Sequence, residues 1–155
     1  MTGQIPERAT KVVLYVTHRD RVLVFSEPDY PHIKLQVPGG TVEDGEPVEE
    51  AARRELLEET GLSDIATMTL LGVRDYTFTV RGTACRHERH HFHLTLASVP
   101  QERWQHWEQQ SSLGLGPIRF ELFWLPIDAA ARELGYGFQL MLPQVRAALE
   151  ARSEA

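Results

Sequence analysis

Three glutamates lie close together in one segment of the chain that is rich in helix-forming residues. On a helical wheel of roughly 100° per residue, Glu55 and Glu59 fall within about 60° of Val48, and Glu58 lies at the edge of that apolar arc. An ionised carboxylate buried without a positive partner costs far more free energy than an ordinary salt bridge returns. The pattern therefore predicts a compensating cation, and hard divalent ions such as Mg²⁺ or Mn²⁺ prefer oxygen ligands of this kind.

Two consecutive glycines, Gly39 and Gly40, precede this acidic segment. A glycine has no side chain to obstruct its carbonyl oxygen, so the pair is suited to supply backbone ligands if the fold brings it beside the helix. Mg²⁺ in proteins usually binds a few carboxylates together with phosphates of a substrate. We therefore expect a phosphate-bearing substrate rather than a closed structural metal site.

The spacing of these residues resembles the Nudix box, the signature of the Nudix hydrolase superfamily. That box reads Gly, five residues, Glu, seven residues, Arg-Glu-aliphatic, one residue, Glu-Glu, one residue, Gly-aliphatic. The chain matches all nine constrained positions, which are Gly40, Glu46, Arg54, Glu55, Leu56, Glu58, Glu59, Gly61 and Leu62. A pattern with this many fixed positions is much more specific than a motif of two glycines or two acids.

The resemblance implies a hydrolase that uses Mg²⁺ or Mn²⁺ to cleave a pyrophosphate bond in a nucleoside diphosphate linked to another moiety. It implies that Glu55, Glu58 and Glu59 are metal ligands, that Gly40 adds its carbonyl oxygen, and that Glu55 or an acid from a loop helps to activate water. By the same resemblance Arg54 orients the neighbouring catalytic glutamate; its alternative role is a weak surface pair with Glu58.

Two other functions stay open at this point. One is a nucleotide-sensing module that keeps the fold without turnover, and the other, within the enzyme class, is a triphosphate pyrophosphatase that removes damaged nucleotides. Many family members also use an acid outside the box, and the sequence does not choose among the candidates Glu88, Glu102, Glu108 and Glu121. Each of these is, taken alone, more often a solvated charge.

Basic and aromatic residues after the box are candidates for contacts with the substrate. Arg81, Arg86 and Arg89 are suited to phosphate oxygens, with a solvated hairpin tip as the alternative. Trp104 is suited to stack on a nucleobase, with a lid, a dimer contact or packing as alternatives. For Tyr76 and Phe78 core packing is favoured over stacking. The histidine cluster, which comprises His87, His90, His91 and His93, is expected to line a pocket or the surface rather than to hold a transition metal.

Hydrophobic periodicity predicts an α/β protein. We expect strands at 11–17 and 21–26 joined by a short turn, further strands at 33–37, 69–80, 90–99 and 120–125, and helices at 47–60 and 138–151. Asp128 is expected to cap a short turn ending near Gly135, Pro143 either begins or kinks the last helix, and 100–117 is expected to be a loop with a hairpin connection at 81–89. The resemblance implies an α/β/α sandwich around a mixed sheet.

Length and composition limit the remaining possibilities. The 155 residues fit one domain, 1–155, with 1–9 expected to be a flexible tail. The formal net charge of −6 argues against general binding to nucleic acids or anionic membranes, so the expected partner is a small nucleotide, with monomer and homodimer both open. Cys85 is the only cysteine, and no apolar stretch has the length of a signal peptide or membrane span, which together favour a cytoplasmic protein.

Overall fold

The computed structural model describes residues 7–109 and 116–153. The strands are β1 (Arg8–His18), β2 (Arg21–Ser26), β3 (Gly39–Thr41), β4 (Ile65–Val80), β5 (Thr83–Leu96), β6 (Arg103–Glu108) and β7 (Ile118–Pro126). The helices are α1 (Val48–Thr60), α2 (Ile127–Glu133) and α3 (Leu142–Ser153), and a 3₁₀ turn at Phe138–Met141 precedes α3. None of the helices in the described ranges is both long and apolar enough to span a membrane.

The strands form one mixed sheet in the order β4-β5-β1-β2-β7-β6, with β3 paired to β1 outside this path. Among the strand pairs of the described residues, β1 and β5 are the parallel pair. β1 pairs with β3 near its start, through Lys11 and Thr41, and with β2 near its end, through Thr17 and Val22. The predicted α/β class with a mixed central sheet is confirmed.

Both faces of the sheet are covered, because β1 is apolar on both sides. Val12 and Leu14 face α1 and pack in one core with its Leu56. Tyr15 faces the other way and packs in a second core that includes Val145 of α3. We call the side on which α1 packs the acidic face and the side on which α2 and α3 pack the basic face, after the charged residues that each side carries.

Helix α1 begins and ends where its sequence predicts. Pro47 stands at the N-cap with φ −62°, a conformation that the proline ring itself favours. Gly61 ends the helix in the left-handed region, at φ 81°, and its amide donates to the carbonyl of Leu57. Glu49 and Glu50 lie in the first turn, where negative charge interacts favourably with the helix dipole.

The hairpin between β4 and β5 is tighter than expected. Val80 pairs with Thr83, so the connection is only Arg81 and Gly82, with φ 50° and 80°. Two successive residues with positive φ are typical of the two-residue turns that match the twist of a hairpin. The expectation of a connection at 81–89 is therefore wrong, because the residues from Thr83 onward already belong to β5.

The strand expected at 33–37 is not formed. Only isolated bridges occur there, from Gln36 to Phe25 and from Leu35 to Leu134, while the regular strand comes later, at Gly39–Thr41. Glycine makes this shift possible, since a Cβ on Gly39 would lie 2.3 Å from the carbonyl oxygen of Val12. Only a residue without a side chain allows the two strands to approach so closely.

The expectation of a loop throughout 100–117 is wrong as well. β6 lies inside it and pairs with β7 along its whole length, from Arg103 with Phe123 to Glu108 with Ile118. The polar composition of β6 hides the strand from a search for alternating apolar and polar residues. Every second side chain of this edge strand is only partly buried, and the others are exposed. Residues 110–115 of the expected loop lie outside the described part of the chain.

Two expectations at the chain ends also change. Pro126, not Asp128, occupies the N-cap of α2, and Asp128 instead pairs with Arg146. Pro143 lies in the first turn of α3, which settles the open alternative in favour of a helix start. The expected tail at 1–9 is wrong for its last two residues, which belong to β1, and residues 1–6 lie outside the described ranges.

Candidate active site

Two of the three box glutamates lie on the buried side of α1. Glu55 and Glu59 are only 7% and 8% exposed, whereas the side chain of Glu58 is 52% exposed. Two carboxylates this deep in a protein are unusual, since charged side chains are seldom buried without a partner. The helical-wheel prediction therefore holds for Glu55 and Glu59, and Glu58 lies at the rim as expected.

Glu59 reaches across to the glycine strand. Its Oε1 accepts a hydrogen bond from the amide of Gly39 at 2.6 Å. Burial raises the pKa of Glu59 well above its ordinary value, and the charges of Glu108 and Glu55 raise it further, while the Gly39 amide opposes the shift. The carboxylate is held in place by the backbone, yet it lacks a full countercharge.

Glu55 lies directly against the other glycine of the pair. A Cβ on Gly40 would lie 2.1–2.4 Å from the carboxylate atoms of Glu55, so a side chain at position 40 would displace that carboxylate. Burial raises the pKa of Glu55 to about 7, against the opposing charge and hydrogen bond of Arg54. The box glycine is thus required by the position of the Glu55 carboxylate.

Arg54 connects the helix to the loop before it. Its guanidinium donates to both carboxylate oxygens of Glu46, at 2.8 and 3.0 Å, and to the carbonyl of Thr41 at 2.9 Å. Its Nη1 also donates to Glu55 at 2.9 Å and to Glu58 at 3.1 Å. Hydrogen bonding to Arg54 lowers the pKa of Glu46 to about 2. These contacts fix the loop and orient Glu55, which is more than the surface pair considered from sequence.

Glu108 is the acid outside the box that the structure places beside the box carboxylates. It is half-buried on β6, and its pKa is raised to about 7 by burial first and then by the charges of Glu55, Glu27 and Glu58. The other three candidates have partners elsewhere: Glu88 with His90, Glu102 with Arg21, and Glu121 with Arg103. Sequence reasoning could not select Glu108 because it did not detect β6.

Lys11 is a nearby cation that sequence reasoning missed. Its Nζ donates to Oγ1 of Thr41 at 2.6 Å. Burial lowers its pKa, and the charges of Glu55, Glu59 and Glu108 act in the opposite direction, which places the ammonium in the field of all three carboxylates. The alternation of β1 alone does not reveal this, because the glycine strand that brings the carboxylates close comes from another part of the chain.

The donor chemistry of this cluster fits a hard divalent cation, but the side chains do not surround a common point. Within residues 7–109 and 116–153, no three His, Cys, Asp or Glu side chains are arranged to hold a metal. The reason is visible in the contacts: Arg54 holds Glu55 and Glu58, and Gly39 holds Glu59. The raised pKa values of Glu55 and Glu59 show that the nearby positive charges do not compensate for the burial of these carboxylates. A cation that binds there would compete with Arg54 and Gly39 for the same oxygens.

The predicted substrate residues are dispersed. Arg81 is in the hairpin turn, Arg86 is 3.5 Å from Asp75, and Arg89 is buried on the basic face. Trp104 donates its indole N–H to the carbonyl of Thr60 at 2.9 Å and packs against the core beside α1. The structure does not gather these four residues around the carboxylates.

A cleft of about 440 Å³ opens next to the loop that Arg54 anchors. Its lining includes Arg8, Thr10, Thr41, Asp44, Arg86 and Glu88. Arg8 and Arg86 are directly opposite in the β1–β5 pair, and they share the acidic face with Thr10 and Glu88 by the alternation of the strands. Its volume is within the range of small-molecule sites.

The sheet between helices and the box carboxylates against a glycine strand together define a Nudix pyrophosphohydrolase. A NUDIX domain family model matches residues 6–139, so the chain belongs to the Nudix family. The resemblance seen in the sequence is thereby confirmed. Comparison with the curated proteins gives no match.

Solved structures agree on the fold. The chain is similar to a MutT protein from Bacillus halodurans, with 22% identity, coverage of 88% of this chain and 81% of that chain, and a TM-score of 0.64. It is also similar to an Ap4A hydrolase from C. elegans, with 18% identity, 91% and 98% coverage, and a TM-score of 0.61. The NUDIX domain of Shewanella oneidensis NrtR, complexed with ADP ribose, gives 15% identity, 94% and 90% coverage, and 0.59.

Proposed function

We propose that this protein uses Mg²⁺ or Mn²⁺ to hydrolyse a pyrophosphate bond in a nucleotide or nucleotide conjugate, a nucleoside diphosphate linked to another moiety. The observation that carries the proposal is the pair of buried carboxylates, Glu55 and Glu59, held against Gly39 and Gly40 without sufficient countercharge. A buried acidic cluster of this kind favours a site completed by a cation and an anionic substrate.

The proposed ligands are Glu55, Glu58, Glu59 and the carbonyl of Gly40, with Glu108 as the added acid. A bound divalent ion would stabilise charge on the pyrophosphate and lower the pKa of an attacking water. Arg54 would keep Glu55 in position through its Nη1 contact of 2.9 Å. Glu55 and Glu108 are the candidates to accept a proton from that water, and a bound cation would lower the raised pKa of either one.

The substrate side of the proposal rests on charge and space. Arg86, one of the predicted substrate residues, lines the 440 Å³ cleft together with Arg8, and both are suited to phosphate oxygens. The names of the similar structures, Ap4A hydrolase and a complex with ADP ribose, support a nucleoside diphosphate derivative as the class.

The test is product analysis on a panel of nucleoside triphosphates, sugar nucleotides, ADP-ribose and dinucleoside polyphosphates, with Mg²⁺ and with Mn²⁺. We expect cleavage of at least one compound at a pyrophosphate bond, and loss of turnover after chelation of the metal. Glu59→Gln should reduce kcat by about 100-fold or more while the fold is retained, because the substitution keeps size and removes charge. Glu50→Gln, on the exposed first turn of α1, is the matched control and should change kcat less than about twofold.

The alternative function is nucleotide sensing without turnover. It predicts binding of one compound on the panel, with no product at any pH and with either metal. The retained box carboxylates argue for turnover, since buried acids with raised pKa values are concentrated at catalytic sites. Turnover that survives Glu59→Gln unchanged would contradict the site assignment even if hydrolysis occurs.

A further inference from the structure

Two arginines face each other on the hairpin, away from the candidate active site. Arg74 of β4 is directly opposite Arg89 of β5, so both side chains lie on the same face of the sheet. Arg89 is three positions before Phe92 on β5, so the two side chains lie on opposite faces of the sheet. Phe92 packs in the core beside α1, which places Arg89 and Arg74 on the basic face. Like charges directly opposite each other destabilise a sheet unless something neutralises them.

Arg89 is held in a closely built environment. It is 6% exposed, its guanidinium carbon lies 3.8 Å from the ring centroid of Tyr76 and 4.3 Å from that of Phe138, and Nη1 donates to the carbonyl of Tyr136 at 2.7 Å. Within the described ranges, neither Arg89 nor Arg74 forms an ion pair with a carboxylate. A buried guanidinium without an anion is costly, and burial lowers the pKa of Arg89 to about 10.

The loop after α2 is shaped around this guanidinium. Tyr136 has φ 59°, a strained value for a residue with a side chain, and its carbonyl is the one that accepts from Arg89. A Cβ on the next residue, Gly137, would lie 3.1 Å from the Tyr76 ring and 3.5 Å from Nη1 of Arg89. The strained loop and the glycine hold the guanidinium in one position, as a binding site requires.

A small cleft of about 40 Å³ lies between the two arginines, with room for a few water molecules or one compact ion. It is lined by Arg74, Asp75, Tyr76, Arg89, His91, Gly137, Leu140 and Met141. The carboxylate of Asp75 is 3.5 Å from Arg86. The pKa of His91 is lowered to about 4 by burial, with the charges of Arg89 and Arg74 adding to the shift, so the field at the cleft is positive.

We propose that this cleft binds a compact oxyanion, either free phosphate or the phosphate group of a small monoester, between Arg74 and Arg89 on the basic face. An anion there would neutralise the facing guanidinium groups, and forked donors suit phosphate oxygens. The site goes beyond the proposed hydrolytic function, because it lies across the sheet from the box carboxylates and uses none of them.

The experiment measures phosphate binding to metal-free protein at constant ionic strength, with chloride as the reference anion. Without divalent ions the carboxylate cluster repels phosphate, so binding does not depend on the proposed hydrolysis. We expect inorganic phosphate to shift the amide resonances of Tyr76, Gly137 and Leu140. Arg74→Ala should weaken binding at least tenfold, whereas Arg81→Ala, which removes the same charge from the exposed hairpin turn, should leave it within twofold.

Arg74→Lys gives a second check that keeps the charge and removes the forked donor, and we expect binding between those of the wild type and Arg74→Ala. Titration with a nucleoside monophosphate beside inorganic phosphate identifies the source, since the tighter of the two is the preferred form. Equal binding by Arg74→Ala and Arg81→Ala, or resonance shifts confined to Gly39 and Gly40, would overturn the proposal. So would the lack of any phosphate-dependent shift in the wild type.

Discussion

The two faces of the central sheet bury opposite charges. On the acidic face, burial raises the pKa values of Glu55 and Glu59. On the basic face, burial lowers the pKa values of Arg89, His91 and His93. Both sets shift toward the neutral form, because low dielectric surroundings disfavour any isolated charge, whatever its sign.

The difference lies in what surrounds each set. The carboxylates lie against the backbone of Gly39 and Gly40, and they have the cations Arg54 and Lys11 nearby. Arg89, in contrast, is enclosed by aromatic rings and one carbonyl. We infer that each face needs a ligand of opposite sign to its own charges, a cation on one side and an oxyanion on the other.

After Glu59→Gln, the largest effect is expected from Glu108→Gln on the acidic face. If Glu108 belongs to the charged cluster, kcat should fall by about 100-fold, with a smaller change in KM, because the acid acts on the reacting water. The measurement is steady-state kinetics on the substrate that the panel identifies. Glu102→Gln is the control, since Glu102 lies outside the box and forms an ion pair of 2.9 Å with Arg21. Equal kcat values for the two variants would remove Glu108 from the site.

Arg89→Met tests the basic face. The substitution removes the hydrogen bond to Tyr136 and both ring contacts, and we expect the free energy of unfolding to fall by about 2–3 kcal/mol. Urea denaturation measures it. Arg86→Met is the control, because Arg86 is an exposed arginine on the same strand, and it should cost less than about 1 kcal/mol. If Arg89→Met is as stable as Arg86→Met, the contacts of the buried guanidinium do not stabilise the fold.

The acidic face was largely predictable from sequence, and the reason is local. The box residues from Arg54 to Glu59 lie on one helix, so their spacing alone fixes which side chains share a face. Pro47 and Gly61 likewise marked the ends of that helix. By contrast, the position of Glu108 depends on the pairing of β6 with β7, and an edge strand of polar composition gives little signal.

The basic face was not predictable for a related reason. His91 was expected to line a pocket or the surface, and it does line the small cleft beside Arg89, but its 2% exposure and its stacking against Tyr15 were not foreseen. Arg89 was expected to meet a phosphate, and the rings that enclose it come from β4 and from the turn before α3. Contacts between segments so distant in the chain leave no trace in local periodicity.

A smaller effect is expected from pH through His91. Its pKa is about 4 in the folded protein and ordinarily 6.5, so between these values the unfolded chain binds more protons. Stability contributed by the neutral imidazole is therefore complete above pH 6.5 and lost as pH falls toward 4. Between pH 7 and pH 5, the wild type should lose about 1–2 kcal/mol more than His91→Gln.

The carboxylates on the acidic face act in the opposite sense over an overlapping range, since a raised pKa favours the folded state at low pH. The slope of the wild type alone is therefore not informative. The quantity to measure is the difference between wild type and His91→Gln in the free energy of unfolding at several pH values. Parallel curves would show that His91 becomes protonated in the folded protein as readily as in the unfolded chain.

The smallest effect concerns Trp104, which lies beside the acidic cluster without joining it. Its indole N–H donates to Thr60 at the last turn of α1, so Trp104→Phe should keep the packing, lose one hydrogen bond and lower the free energy of unfolding by about 1 kcal/mol. If the residue supports the helix rather than a nucleobase, KM should stay within about twofold. A large rise in KM with unchanged stability would instead show that Trp104 contacts the substrate. The binding site on the acidic face would then include an aromatic side chain as well as the carboxylates.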